Sequence, residues 1–268
     1  MGLLKSQVAE SWAIDSESWP LEDQESAVQQ IDQVLAVFEG CFGHELLMQR
    51  RVIMKHSLIE EPYTHALKDD IKPKNTFEVY LVNVINNPSR FYYQAAHEFS
   101  HVFTGCYPEM ISFNWISECL CSAATFYVLK KLSSKSEYES IIESPLRQRR
   151  NWTSLKDYYC SNGDELGKDP YGQIDESTQT RPRNDMIATW FLEVIEQNPS
   201  GWKSIARMKD SDINLQNFAN DAGDSTGAYL VLWYVQCESD CERLFAEAIS
   251  GQIGYSFTLK DPPDHINC

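Results

Sequence analysis

The 268-residue chain carries 39 acidic against 23 basic side chains, a net charge of -16, with 43% hydrophobic and 12% aromatic residues. That apolar content belongs to a folded protein, and the length suits one large domain or two closely packed lobes. The negative field repels nucleic-acid phosphates and anionic lipid, which excludes both as default partners, and no run approaches the roughly 20 apolar residues that cross a bilayer.

Met1 to Trp12 lacks the apolar run of a secretion signal. The eight cysteines include no C-x-x-C pair, so free thiols in a reducing, cytoplasmic setting are expected. A first helix is expected after Pro20, where Val28, Ile31, Leu35 and Phe38 recur at helical spacing and Gly40 offers a stop. Arg51 to Leu58 and Phe77 to Ile85 read as strands on either side of a charged loop ending in Lys72-Pro73-Lys74-Asn75. Asn86-Asn87-Pro88-Ser89 supplies a turn and a helix start. A helix then covers Arg90 to Thr104, with Gly105 and Pro108 ending it. Another spans Trp115 to Leu132, and Lys130 and Lys131 suit its C-terminal end.

Ser133 to Arg183 is polar and gives few signals. Helical patterns return over Asp185 to Gln197, Trp202 to Lys209, Leu215 to Asp221 and Tyr229 to Ile249. The sum is a helix-dominated α+β fold. An N-terminal α+β lobe, 1–109, ends in the central helix, and a helical lobe, 110–268, completes a single compact unit.

The chemistry concentrates in the two central helices. His97-Glu98-Phe99-Ser100-His101 is an H-E-x-x-H run, and on a helix positions i and i+4 share a face, so both imidazoles reach one metal ion. Glu98 points aside, where it can deprotonate a water. Apart from tyrosines and Cys106, His97, Glu98 and His101 are the only titratable side chains between Phe91 and Pro108, among Ala95, Ala96, Phe99, Val102 and Phe103. Burying such groups unpaired costs several kcal/mol by order of magnitude, which a metal ion and its water would offset. The bland alternative is a hydrogen-bonded histidine pair at a helix end. A zinc site also needs a third protein ligand. Glu118 is the only charged residue from Met110 to Leu129 and is the candidate. Its alternative reading is a first-turn glutamate favoured by the helix dipole.

His97-Glu98-x-x-His101 followed by Trp115-Ile116-Ser117-Glu118 resembles the gluzincin zinc metallopeptidases, the group of thermolysin and the zinc aminopeptidases. The resemblance covers roughly Phe77 to Leu132 and extends weakly into the helical C-terminal third. It implies a zincin-like fold, zinc held by His97, His101 and Glu118, Glu98 as general base, and a peptide or protein substrate. It also implies that the strand before the metal helix, Phe77 to Val82, forms the upper rim of the cleft. The departures are specific. Sixteen residues separate His101 from Glu118, slightly fewer than usual. There is no Gly-x-Met-Glu-Asn motif, and Arg181-Pro182-Arg183-Asn184 stands where an aminopeptidase has its oxyanion-stabilising tyrosine. Arg183, as a cation, or Tyr171, a little upstream, would take that role.

Two rival readings stay open. Glu39-Gly40-Cys41 ahead of the histidine motif resembles peptide deformylases, whose third ligand is a cysteine. Their Gly-x-Gly-x-Ala-x-x-Gln run is absent, and Cys41 is otherwise a small buried residue near a helix end. The second rival is a metallopeptidase-like binding or regulatory module without catalysis. The missing tyrosine favours it, and the intact Glu98 counts against it.

Overall fold

The computed structural model describes residues 2–58, 62–66, 76–104, 114–166, 180–213 and 225–256. Strands β1 (Leu3–Lys5), β2 (Trp12–Asp15), β3 (Arg51–His56), β4 (Tyr63–Ala66) and β5 (Thr76–Leu81) form one sheet in the order β1-β2-β3-β5-β4. The three inner strands are parallel and the two outer ones antiparallel to their neighbours. The register aligns Trp12 with Val52 and Phe77, and Ile14 with Met54 and Val79, so apolar side chains stack in rows on one face. The other face holds the buried Ala13 and Ile53 and a polar group beside them. Lys55 Nζ lies 2.8 Å from Glu78, the Tyr80 hydroxyl donates to the same carboxylate, and Tyr80 stacks on Tyr63 at 4.3 Å.

The helices are α1 (Gln24–Phe42), α2 (His44–Met48), α3 (Pro88–Thr104), α4 (Asn114–Leu132), α5 (Lys135–Arg149), α6 (Leu155–Leu166), α7 (Thr180–Gln197), α8 (Ser225–Gln236) and α9 (Asp240–Ile253). A 3-10 helix, Pro199–Ile213, links α7 toward α8. The protein is therefore α+β with helices dominant, as expected.

Several boundaries differ from the sequence expectation. The first helix runs through Gly40 because Cys41 and Phe42 beyond it are buried, and it stops at Gly43, where φ is +82°. Packing of those two side chains outweighs the ~1 kcal/mol that a glycine costs inside a helix. The polar stretch after Ser133 holds α5 and α6. A reciprocal capping box opens α5, with Ser134 and Glu137 each satisfying the other's backbone. The segment expected as one helix over Tyr229 to Ile249 is two, because Ser239 accepts from the Glu242 amide and starts α9 afresh. Trp202 to Lys209 belongs to the 3-10 helix. Leu215 to Asp221 and the Lys72–Asn75 loop lie outside the described residues.

The inner sheet face packs on α1 and α3, and α4 lies between α3 and α7. Ile116, Cys119, Leu120, Ala123, Phe126 and Val128 bury α4 on every side, which accounts for a helix without an amphipathic stripe. Aromatic rings weld the layers. Trp12 meets Phe99 at 5.0 Å, and Phe42 stacks between Phe103 at 4.2 Å and Trp202 at 5.3 Å. Arg149 joins α5 to α7 through Glu193, the Thr189 carbonyl and the Trp190 ring. A single apolar core runs from Ala9 to Ile253. Among the described residues no helix is long and apolar enough to cross a membrane.

Candidate metal centre

The expected turn builds the start of α3. Asn87 Oδ1 accepts from the Arg90 amide at 3.1 Å, and Pro88 takes the first helical position, where a missing N–H is harmless. Further along, the buried Gln94 grips both backbone groups of Val82, tying the helix to the exit of β5. Phe91, Ala95, Phe99 and Phe103 face the sheet and α1. That orientation turns Tyr93, His97 and His101, spaced one turn apart, toward α4 and α7.

Glu118, in the first turns of α4, meets the two histidines there. His97 Nε2 and His101 Nε2 are 3.2 Å apart, His97 Nε2 is 3.3 Å from Glu118 Oε2, and His101 Nε2 is 3.4 Å from Glu118 Oε1. Among the described residues this is the group whose donor atoms can share a metal ion, all lying within 4.8 Å of one another. Donors placed tetrahedrally about zinc at about 2.0–2.1 Å stand about 3.3–3.4 Å apart, so these separations fit that ion. The chemistry of the set fits too. Two imidazoles and a carboxylate with three protein donors form the open kind of zinc site, and His97 and His101 are only 8% and 6% exposed.

Burial holds His101 below the ordinary imidazole value, with His97 and Arg181 adding to the effect against Glu118 and Glu98. The ring is then neutral and has a lone pair to give. Burial opposes ionisation of Glu118, but His101, His97 and Arg181 together bring its carboxyl down to about 2. Both states are the ones a cation requires.

The far sides of the two rings differ. Cys121 Sγ lies 3.3 Å from His101 Nδ1, one helical turn beyond Glu118 on α4. His97 Nδ1 is buried without a hydrogen-bond partner among the described residues. Burial raises the carboxyl of Asp185, on α7, against the Ser122 and Tyr93 hydrogen bonds and the charges of Arg181 and His97.

Glu98, 5% exposed, stands beside the triad without joining it. The Thr64 hydroxyl of β4 sits 2.9 Å from both its Oε2 and its backbone carbonyl. Burial pushes the Glu98 carboxyl above the usual range and Glu118 adds to this, while His101, Thr64 and Arg181 pull it back. It is a more basic carboxylate than a surface glutamate.

The four residues of the two-helix motif thus come together as expected. The expected cleft rim needs revision. β5 is an inner strand, paired on both sides, so it cannot form an open rim; the edge beside α3 is β4. Cys41 hydrogen-bonds Tyr127, nine residues past Glu118 on α4 and so about 13 Å along the axis, away from the triad. Arg183 is half-buried on α7, and its charge acts on the Cys119 thiol. Tyr171 lies outside the described residues.

The sequence reading missed Thr64, Cys121, Arg181 and Tyr93. Arg181 donates from Nε to the Tyr93 hydroxyl at 3.4 Å, and its guanidinium carbon lies 5.1 Å from the Tyr93 ring centre. The short run Tyr63–Ala66 and an arginine one turn ahead of Asp185 were the only local signals. No protein-family model matches the chain, and no curated protein or solved structure matches it.

Proposed function

We propose that this chain is a zinc-dependent metallopeptidase of the gluzincin kind, with a zincin-like fold, hydrolysing peptide or amide bonds. The observation carrying this reading is the set of 3.2–3.4 Å separations among the His97, His101 and Glu118 donors, with Glu98 alongside but outside the set. Bound there, zinc supplies a water that ionises near neutrality and a positive charge for the carbonyl oxygen.

The protein's own groups divide the remaining work. His97 and His101 present Nε2, and Glu118 presents its carboxylate oxygens, to a common point. Thr64 holds Oε2 of Glu98 and leaves Oε1 to accept the proton of the attacking water. Burial makes that carboxylate basic, and the charge on Arg181 favours its ionised form before the proton arrives. Glu98 then passes the proton to the leaving nitrogen. Substrates are peptides or proteins. Cys41, Cys119, Cys121, Cys160, Cys237 and Cys241 are free thiols, which suits a reducing cytoplasm.

The test is metal analysis with turnover. About one zinc per chain should be found, lost on His97→Ala or Glu118→Ala. Cleavage of a peptide library should vanish in Glu98→Gln with zinc retained. Cleavage that persists in that variant would remove Glu98 as base, and a metal-free wild-type chain would end the zinc reading.

A further inference from the structure

Arg181 stands out in the charge pattern of this chain. It is exposed at the start of α7, and its field reaches His101, Glu98 and Glu118. Arg149 pairs with Glu193, Arg207 with Glu238 and Arg243 with Asp240. Arg181 forms no ion pair within 4 Å among the described residues; the acid its charge acts on most is Asp185, one turn further along α7, and that carboxylate already accepts from the Tyr93 hydroxyl. Its Nε edge is committed to the Tyr93 hydroxyl, and its plane is steadied by the Tyr93 ring. Tyr93 is itself anchored, donating to Asp185 at 3.3 Å, and burial raises its hydroxyl to about 12, so it stays a neutral donor. Among the described residues the terminal nitrogens of Arg181 make no hydrogen bond, and they form the fork that accepts a carboxylate through two parallel hydrogen bonds.

We propose that Arg181 is the subsite for a substrate carboxylate, so that preferred substrates are peptides with a free carboxylate beside the bond that is cut. An oxyanion donor would have to stand about 2.7–3.1 Å from the reacting oxygen, against the metal donors. Arg181 stands off both the Glu98 and Glu118 carboxylates and pairs with neither, which suits a neighbouring part of the substrate. The carboxylate is a peptide C-terminus or an Asp or Glu side chain; the fork binds either in the same way. The bond cut rests on the peptidase reading, whereas the subsite is a binding property.

The experiment is calorimetry on the zinc-loaded full chain carrying Glu98→Gln, with and without Arg181→Met. The probes are one N-acetylated peptide as free acid and as C-terminal amide, and the same peptide with Asp or Asn inside it. At least one carboxylate form should bind about tenfold to a hundredfold more tightly than its neutral counterpart. Arg181→Met should abolish that difference and leave the neutral peptides unchanged. The pair showing the difference identifies its source. Equal binding of acid and neutral forms by the parent, which needs no further variant, overturns the subsite, as does a difference surviving Arg181→Met. Turnover by the unmutated chain is scored separately. Absence of cleavage with carboxylate-dependent binding intact would sink the peptidase reading and leave the subsite in place.

Discussion

The Thr64 hydroxyl lies 2.9 Å from the Glu98 carboxylate and 2.9 Å from the carbonyl of the same residue, locking an edge strand onto the acid beside the proposed metal donors. One short side chain thus sets the rotamer of a glutamate 34 residues away. Thr64→Val keeps the shape and removes the hydrogen bond. Zinc content should be unchanged, and kcat should fall about tenfold, within the range for loss of one positioning contact in acid–base catalysis. Thr64→Ser should recover most of the rate. Steady-state kinetics on one peptide decides it, and a rate indifferent to Thr64→Val would assign the threonine to packing alone.

Cys121 supports His101 from behind. Groups that fix the far nitrogen of a metal-bound imidazole set its tautomer and orientation, and their loss typically costs about 10–100-fold in metal affinity. Cys121→Ala should weaken zinc by that order in a competition titration against a coloured chelator. Cys121→Ser, which restores a polar partner, should weaken it less. Unaltered affinity in the alanine variant would mean that the 3.3 Å contact is incidental.

Alkali should unfold this protein before it unfolds one whose thiols are exposed. Cys41 and Cys237 are each 2% exposed, and burial raises them from an ordinary 9.0 to about 11 and about 12. Above pH 9 the unfolded chain gives up these protons first. It then binds fewer protons than the folded chain, and stability falls as pH rises. The contribution is fully present below pH 9, and the part from Cys41, on the order of 2–3 kcal/mol, is gone by about pH 11. Urea midpoints from pH 7 to pH 11 should decline. The decline should be shallower in Cys41→Ala, even if that variant starts lower.

Phe42 carries the aromatic stack that seats the C-terminal half of α3. It is 1% exposed and lies between Phe103 and Trp202 with interplanar angles of 11° and 15°. Phe42→Ala should cost about 3–5 kcal/mol in urea denaturation, and Phe42→Leu clearly less. Phe103 is two residues past His101. Zinc affinity should therefore fall in Phe42→Ala even where circular dichroism shows a folded chain, and affinity equal to wild type would argue that the stack does not position the imidazoles.

What could be read beforehand followed from how local the signal was. His97, Glu98, His101 and Glu118 stood out because each breaks an apolar helix, and a helix fixes the relative direction of residues four apart. Thr64, Cys121, Tyr93 and Arg181 act through partners 20 to 88 positions distant, and only the tertiary packing of β4, α4 and α7 on α3 brings them in. Strands β1, β2 and β4, of three or four residues, are too short for alternation to register. The start of α5 was legible in principle, since Ser134 and Glu137 form a capping box, but its polar composition hid the periodicity. Gly40 misled because the burial of Cys41 and Phe42 overrides an intrinsic preference.

The three proposed ligands fall within positions 97–118, a small fraction of the chain. Closing so short a loop costs little entropy, and the i, i+4 histidines meet whenever one helical turn forms. A denatured chain therefore keeps some hold on the ion. Zinc should raise the melting temperature by less than its affinity for the native protein alone would give, because part of that affinity survives unfolding.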